Sequence, residues 1–355
     1  MLRSHRKHLW RSCNLKEINT SMKNKNLLKW LPGIIISALA VFFVLRVVDI
    51  EVLVQAVKAI DFWTIVLMVI ITIVSLAARA VVWMKLLPGV KFSDAFFITN
   101  ESYLFNNLIP RSGELIKAIL FSESAGKSFM EVIPSVVVER SLDLVVAATM
   151  FLATIPFVSA LDNVRPFAIT FLFLFGAFLI ICFFLARNAG LVKKWMGRLG
   201  EKNAFLREKV NPQIEKVLDG FMILTDLRQF SSVLLWILIT WFLWTVILVI
   251  GLSSAIPDFI FWWAIFTEGV LALGIALPSA PAGLGVYEGA MVVALSAFGI
   301  AYEVSFGIAI VIHLMQIIIT SGLGIWGVIR QGDSITAILS RIRISKTRTE
   351  KKVDE

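Results

Sequence analysis

The chain has 355 residues, of which 58% are hydrophobic and only 17% are charged, and its mean hydropathy is +0.84. Soluble globular domains do not have this composition. A net charge of +9 would suggest nucleic-acid binding in a soluble chain, but the basic residues concentrate in the two tails and one central loop. Membrane topology explains that distribution, so we predict a membrane protein that binds no nucleic acid.

Several apolar runs reach the roughly 20 residues that a helix needs to cross a bilayer. The runs are continuous, whereas the strands of a membrane barrel would alternate in hydrophobicity, so we predict an all-α polytopic protein. About six full transmembrane helices are expected, at Trp30–Leu45, Trp63–Leu87, Val132–Val158, Pro166–Ala186, Ser231–Leu252 and Val304–Ile329.

The polar segments define the predicted domain organisation. Residues 1–29 form a basic tail, and its first 21 residues are interpreted as a disordered tail or a misassigned start. Residues 30–330 form a single transmembrane domain with a polar loop at 187–230, in which we expect an amphipathic surface helix. Residues 331–355 form a second basic tail. The positive-inside rule places both termini and the loop in the cytoplasm, so the expected location is the cytoplasmic membrane.

Two stretches interrupt the apolar pattern. The first is FNNLIPRSGELIK, Phe105 to Lys117, and the second is LPSAPAGLGVYEG, Leu277 to Gly289. The segment around the first break, Asp94 to Phe121, is too short for two crossings and a turn, so we predict a re-entrant helical hairpin. The second, Phe259 to Phe298, is either a hairpin or two crossings. Paired interrupted segments in two halves predict an inverted repeat with a transport site near the membrane midplane.

Charged residues inside apolar spans cost roughly 2.5–3.5 kcal/mol each, so each requires a partner or a function. Arg79 lies within the second predicted span. Glu139, Arg140 and Asp143 lie in the third, where a helix would place them on one face. Two interpretations stay open for these residues: buried ion pairs that fix helix packing, or a polar binding site.

The break residues favour binding more strongly. A break at glycine and proline exposes backbone groups and directs a helix N-terminus inward, which suits an anion such as phosphate. Arg111 can bind phosphate through two hydrogen bonds, and Lys117 follows it on the next turns. The predicted substrate-binding residues are Arg79, Asn106, Asn107, Pro110, Arg111, Gly113, Glu114, Lys117, Glu139, Arg140, Asp143, Pro278, Pro281, Gly283, Gly285 and Glu288.

Other patterns carry no predicted chemistry. GLGIWG, from Gly322 to Gly327, matches the dinucleotide-binding pattern by letter, but it lies in a predicted span and is expected to be a helix-packing surface of small residues. The three histidines, His5, His8 and His313, are scattered without metal-ligand spacing. We predict no metal, no cofactor and no catalytic residue.

The two breaks resemble those of a known family. NNLIPRSGELIKA, VVVERSLDLV from Val136 to Val145, and LPSAPAGLGVYEGA from Leu277 to Ala290 are similar to the flippase-like transmembrane domain of the lysylphosphatidylglycerol synthase family. With Arg79 upstream, the likeness covers roughly Leu28 to Arg330. It implies a prokaryotic cytoplasmic-membrane protein for lipid translocation or lipid-linked envelope synthesis.

In bifunctional members of that family this domain flips an aminoacylated phospholipid, which a C-terminal soluble domain makes. The present chain ends soon after its last predicted span. The resemblance therefore implies a stand-alone member that lacks the synthase domain, and we do not expect an enzyme.

Our leading hypothesis is a lipid transporter that moves a phospholipid or polyprenyl-phosphate-linked head group. Four basic residues would neutralise its phosphate: Arg79, Arg111, Lys117 and Arg140. Four acidic residues would balance those charges or take up protons: Glu114, Glu139, Asp143 and Glu288.

Two alternatives stay open. One is an intramembrane transferase acting on a lipid-linked substrate. The other is a non-transporting subunit of a lipid or envelope-glycan synthesis complex, with a lipid-modifying enzyme or glycosyltransferase as partner. The sequence does not predict an oligomeric state.

Overall fold

The computed structural model describes residues 50–158, 165–201, 205–276 and 280–331. Throughout these residues the regular secondary structure is helical and contains no strand, which confirms the predicted all-α class. The predicted span Trp30–Leu45, both predicted tails apart from Gln331, and Pro278 lie outside the described residues.

The first half of the described chain contains six helices. Their bounds are α1 Ile50–Ala59, α2 Phe62–Leu86, α3 Phe92–Leu108, α4 Gly113–Ala125, α5 Phe129–Thr154 and α6 Arg165–Arg187. Asp61 caps α2: its carboxylate accepts hydrogen bonds from the Trp63 and Thr64 backbone N–H groups, at 2.8 and 3.1 Å, and from the Thr64 hydroxyl. These hydrogen bonds, the one from the Thr64 hydroxyl foremost, lower the pKa of Asp61.

The second half contains six more helices among its described residues. Their bounds are α7 Ala189–Glu201, α8 Asn211–Phe221, α9 Leu227–Ala255, α10 Phe261–Ile275, α11 Val286–Ser296 and α12 Tyr302–Gln331. Four short helical turns occur at Ile155–Phe157, Leu206–Val210, Met222–Leu224 and Pro281–Gly283.

Three of the described helices, α2, α9 and α12, are long and apolar enough to cross a membrane. The pair Leu172–Arg187 and Ala189–Arg198 meets the same criterion only as one unit, and it is bent by 75°. Helix α5 is long enough to cross a membrane, with 26 residues. It is not counted among the apolar spans because Glu139, Arg140 and Asp143 lie near its centre. The chain is therefore a multi-pass helical protein in which α5 is unusually polar.

The first interrupted segment is a helical hairpin, as predicted. At its open end the hydroxyl of Ser124 on α4 lies 3.5 Å from the carboxylate of Asp94 on α3. At its tip, Gly113 at the start of α4 packs against the Ser102 backbone of α3. The arms have 17 and 13 residues, each shorter than a crossing requires.

The second interrupted segment is also a helical hairpin. Trp263, near the start of α10, stacks on Phe298 just beyond the end of α11, with ring centroids 4.9 Å apart. Gly274 and Ala290 meet near the tip, where a Cβ on the glycine would lie 3.0 Å from the alanine Cβ. The arms have only 15 and 11 residues, which disfavours the alternative of two full crossings.

The order helix, hairpin, helix occurs twice, as α2, α3–α4, α5 and as α9, α10–α11, α12. The packing between the two halves is reciprocal. Helix α2 packs on α9, α5 packs on the first arm of the second hairpin, and α12 packs on the first arm of the first hairpin. Each hairpin is thus held between helices of both halves.

Small residues mediate one of these contacts. A Cβ at Gly324 would lie 2.6 Å from the Leu104 Cβ of α3, and one at Gly327 would lie 2.5 Å from the Glu101 carboxylate. This confirms that part of the GLGIWG segment is a helix-packing surface. A Cβ at Gly322 would have no such neighbour within 4 Å, so Gly322 is not part of this packing surface.

The predicted polar loop at 187–230 is largely helical, because α7 and α8 lie within it. Helix α8 packs on α5, and Gly220 allows this approach: a Cβ there would lie 2.6 Å from both the Glu131 carbonyl and the Pro134 ring. The segment is therefore anchored to the helix that carries the central charges.

Replacing Gly113 with alanine is expected to lower stability by about 1–3 kcal/mol, as overpacking does in other cores. The new Cβ would lie 2.5 Å from the Ser102 carbonyl oxygen, a backbone atom that cannot move away alone. Thermal unfolding in detergent, followed as loss of monodisperse protein, measures the effect. Gly176→Ala is the matched control, because apart from its chain neighbours and its own helix backbone no atom of the described residues lies within 4 Å of a Cβ there. Equal stability of the two variants would contradict the close approach.

Candidate functional site

A cavity of about 560 Å³ lies between the two hairpins and is bordered by α2, α5, α9 and α12. One wall carries charges from the first half of the chain. The opposite wall is largely apolar and comes from the second half, with Trp244, Leu248, Leu271 and Ile275 among its residues. The cavity therefore has the amphipathic lining that a polar group attached to an apolar chain would require.

A buried carboxylate organises the interior behind the charged wall. Glu139 Oε2 accepts a hydrogen bond from Lys117 Nζ at 3.1 Å, and both side chains are only 1% exposed. Glu139 Oε1 accepts a hydrogen bond from Trp83 Nε1 at 2.9 Å and lies 3.4 Å from Arg79 Nη1. The Lys117 ammonium also lies 5.2 Å from the centre of the Trp83 ring. Four side chains from three helices thus form one buried polar network.

The same network reaches the cavity surface through Asp143. Its carboxylate accepts hydrogen bonds from Arg79 Nη1 at 3.0 and 3.1 Å and from Trp241 Nε1 at 3.0 Å. Arg140 lies 3.8 Å from Asp143 and pairs with Glu114 of the first hairpin. Three cations and three carboxylates therefore balance in this network.

The outer pair of the network is accessible. The side chains of Arg140 and Glu114 are 43% and 38% exposed, whereas those of the inner pair, Lys117 and Glu139, are 1% exposed. Among the described residues, Nε of Arg79, Nε of Arg140 and Oε2 of Glu114 have no hydrogen-bond partner in the protein. These three atoms are buried, so a ligand in the cavity would reach the exposed parts of the Arg140 and Glu114 side chains instead.

The first break stabilises its own backbone. Arg111 is in the left-handed region, with φ of 60°, and its N–H donates to the Asn106 side chain at 2.9 Å. Asn107 donates to the Thr320 and Ser321 hydroxyls of α12, at 3.2 and 3.0 Å. These contacts satisfy the polar groups that a break in a buried helix leaves open.

The second break is held by a buried histidine. His313 of α12 lies 2.6 Å from a Glu288 oxygen through Nδ1 and 2.9 Å from the Ala282 carbonyl through Nε2. The other Glu288 oxygen accepts a hydrogen bond from the Gly285 N–H at 2.7 Å. Ala282, Gly283 and Gly285 all have positive φ, so this turn needs such restraint.

The two breaks meet at the cavity. Arg111 Nη2 of the first break donates a 2.8 Å hydrogen bond to the carbonyl of Ala276, the C-cap residue between α10 and the second break. An arginine on the last carbonyls of a helix also complements the helix dipole. One side chain therefore connects the two interrupted segments.

The structure brings half of the sixteen predicted residues together around this cavity. Those that line it are Arg79, Asn106, Arg111, Glu114, Arg140 and Asp143. Lys117 and Glu139 lie directly behind them. Asn107, Gly113 and Glu288 instead fix the hairpins. Pro110, Pro281, Gly283 and Gly285 belong to the breaks and do not line the cavity, and Pro278 is not described.

Sequence reasoning missed several residues of the site. Trp83 and Trp241 donate indole hydrogen bonds to the buried carboxylates, and no local pattern identifies them. His313 was interpreted as an isolated histidine. A signal existed for it: with Gln316 and Thr320 it follows the 3–4 spacing of one helix face, within an apolar helix that contacts both breaks.

Comparison with family models supplies the identification. Residues 30–324 match the model described as "Lysylphosphatidylglycerol synthase TM region". The chain belongs to this family. The match includes both hairpins and every residue of the cavity, and it indicates a lipid-related function in the membrane. Comparison with curated proteins and with solved structures gave no match.

Proposed function

We propose that this protein binds the phosphate-bearing head group of a membrane lipid in the cavity between its hairpins and moves that head group across the membrane. The lipid would be a phospholipid or a polyprenyl-phosphate-linked molecule. The observation that carries the proposal is the meeting of the two breaks at a cavity with one charged and one apolar wall.

The charged wall suits a phosphate. Arg79, Arg111 and Arg140 line the cavity, and guanidinium groups bind phosphate oxygens through parallel hydrogen bonds. The carboxylates of Glu114 and Asp143 moderate the positive charge, so that a bound head group can leave again.

The arrangement of the hairpins supports movement rather than static binding. Two interrupted segments in corresponding positions of the two halves are typical of transporters with inverted repeats. The reciprocal packing of the halves agrees with such a repeat. In this proposal the hydrogen bond between Arg111 and Ala276 breaks when the hairpins separate, and the cavity then opens to one side of the membrane.

The proposed topology follows from charge. Basic residues dominate both tails and recur in α7 and its surroundings, so we propose that the termini and the segment 187–230 face the cytoplasm. Alkaline-phosphatase and fluorescent-protein fusions at these positions would test this orientation. We propose no enzymatic activity.

A lipid-flipping assay tests the function. Purified protein in proteoliposomes is supplied with fluorescent phosphatidylglycerol or a fluorescent polyprenyl phosphate, and a membrane-impermeant quencher reports the fraction of lipid in the outer leaflet. The wild type should move one of these lipids. Arg140→Gln should be at least about tenfold slower, because one charge-assisted hydrogen bond is worth roughly 1.5–3 kcal/mol.

Arg140 is a suitable position because its side chain is 43% exposed, so its loss should leave the fold intact. Gly176→Ala provides a control away from the cavity. If well-folded wild-type protein moves neither lipid, the transport proposal is wrong and a non-transporting subunit becomes the better interpretation. Covalent change of the lipid, detected by mass spectrometry, would instead indicate a transferase.

A further inference from the structure

The apolar wall of the cavity contains one carboxyl group. Glu268 of α10 lines the cavity and is 7% exposed. Its Oε2 forms a hydrogen bond with the hydroxyl of Thr245 on α9. No lysine or arginine of the described residues forms an ion pair with Glu268, in contrast to Glu114, Glu139 and Asp143, each of which pairs with a lysine or arginine. Glu268 is therefore a different kind of group from the carboxylates of the charged wall.

The hydroxyl of Thr245 has two acceptors within hydrogen-bonding distance. The Thr245 hydroxyl oxygen also lies 3.0 Å from the Trp241 carbonyl oxygen, one helical turn earlier. A hydroxyl has one hydrogen, and a carbonyl can only accept. When the hydroxyl donates to the Trp241 carbonyl, the bond to Glu268 must be donated by the carboxyl group. That arrangement requires a protonated Glu268.

We propose that Glu268 is a proton-binding site, and that its protonation prepares the cavity for a singly charged phosphodiester head group. The inference rests on the proposed function. It adds that the head group has a single negative charge and that a proton is the coupled ion. One proton would then accompany each anionic head group into the cavity.

The class of ligand follows from the net charge of the side chains that line the cavity. With Glu268 protonated, the three lining arginines and the two lining carboxylates Glu114 and Asp143 sum to +1, as 3 − 2. The pair of Lys117 and Glu139 behind the wall adds zero. One phosphodiester, with a single negative charge, makes the loaded cavity neutral. With Glu268 ionised the empty cavity is already neutral, and an entering anion would leave a net charge of −1 in the membrane, which is costly.

Titratable and charged groups lie on two of the helices packed against α10 and across the cavity. They are Arg140 and Asp143 of α5, Tyr287 and Glu288 of α11, and Arg79, Arg111 and Glu114 across the cavity. Helix α9 contributes Trp241 and Thr245, which do not ionise. Glu288 is engaged by His313 and Gly285, and the remaining carboxylates are paired with arginine. Among the described carboxyl groups that line the cavity, Glu268 is thus the one whose charge can change without breaking an ion pair.

Binding measurements on the purified full-length protein in detergent test the inference without requiring transport. The probe is dihexanoyl-phosphatidylglycerol, a phosphodiester lipid with short chains, and its binding is followed by the fluorescence of the cavity tryptophans. For the wild type, affinity should fall at least about tenfold as the pH rises through the deprotonation of Glu268. By linkage, binding at alkaline pH should take up close to one proton, measured calorimetrically in buffers of different ionisation enthalpy.

Glu268→Gln should bind the probe with an affinity that does not change over this range and should take up no proton. The glutamine amide can donate to Thr245 as the protonated carboxyl does, so the fold should be retained. Glu208→Gln is the matched control, because that glutamate is 67% exposed and lies between α7 and α8, outside the cavity. It should behave as the wild type.

The outcomes separate this inference from the proposed function. If the wild type binds the probe with a pH-independent affinity, or if Glu268→Gln still takes up a proton, the proton site is wrong while lipid binding stands. If the wild type does not bind the probe at any pH, the phosphodiester assignment is wrong, and the proposed function then depends on movement of the polyprenyl phosphate in the flipping assay. Soluble glycerophosphoglycerol should bind much more weakly than the lipid; equal affinity would make a free phosphodiester the ligand and overturn the lipid assignment.

Discussion

Replacing Glu139 with glutamine should destabilise the protein by about 3–5 kcal/mol, the usual cost of removing one partner from a buried ion pair. The substitution preserves the shape of the side chain, but it leaves the Lys117 ammonium without a counter-ion at a site where both groups are 1% exposed. The measurement is thermal unfolding in detergent, read as the temperature at which monodisperse protein is lost.

A double-mutant cycle with Lys117→Met separates the charge effect from packing. Methionine has a similar length and no charge, so the double variant should recover a large part of the stability that Glu139→Gln loses. The Arg79 contact at 3.4 Å keeps the recovery incomplete. Strictly additive losses would show that Lys117 and Glu139 do not act as a pair.

Replacing Arg111 with alanine should reduce lipid movement about tenfold to a hundredfold while the protein stays folded, because the Arg111 side chain is exposed. The guanidinium is removed from the cavity, and with it the 2.8 Å hydrogen bond to Ala276 that connects the two breaks. A charge-assisted hydrogen bond of this kind is worth roughly 1.5–3 kcal/mol. The backbone hydrogen bond from residue 111 to Asn106 does not depend on the side chain and should persist.

Two further variants make this prediction specific. Arg111→Lys keeps the charge but not the planar donors and should give intermediate rates. Arg111→Gly relieves any strain of the positive φ, so a defect equal to that of alanine would assign the effect to the lost side chain. Arg207→Ala, at an exposed residue between α7 and α8, is the control for charge loss. Normal lipid movement by Arg111→Ala would remove Arg111 from the site.

The sequence predicted the first hairpin correctly because its argument depended on length alone. A segment too short for two crossings must turn back, and the structure has two short antiparallel arms there. The span predicted at Trp63–Leu87 agrees with α2, at Phe62–Leu86, to within one residue at each end. An apolar run that ends at a capping residue or a proline defines its own boundaries.

The same reasoning was less informative for the central segment at 187–230. Its polar composition indicated a loop with a surface helix, whereas α7 and α8 occupy most of it and α8 packs on α5. The contact depends on the absence of a side chain at Gly220, opposite the backbone of Glu131. A single glycine in a polar stretch does not indicate such a partner from sequence.

By itself, the sequence determined that this is a helical membrane protein with two interrupted segments, and it identified most of the ionisable residues that the site contains. Hydropathy and the cost of buried charge act residue by residue, so both can be read along the chain. Only the tertiary structure decided which charges pair. Arg79 meets Asp143 across 64 positions, Trp241 meets it across 98, and Arg111 meets Ala276 across 165. Such partners are set by helices that pack far from one another in sequence, and no spacing rule within one helix contains that information.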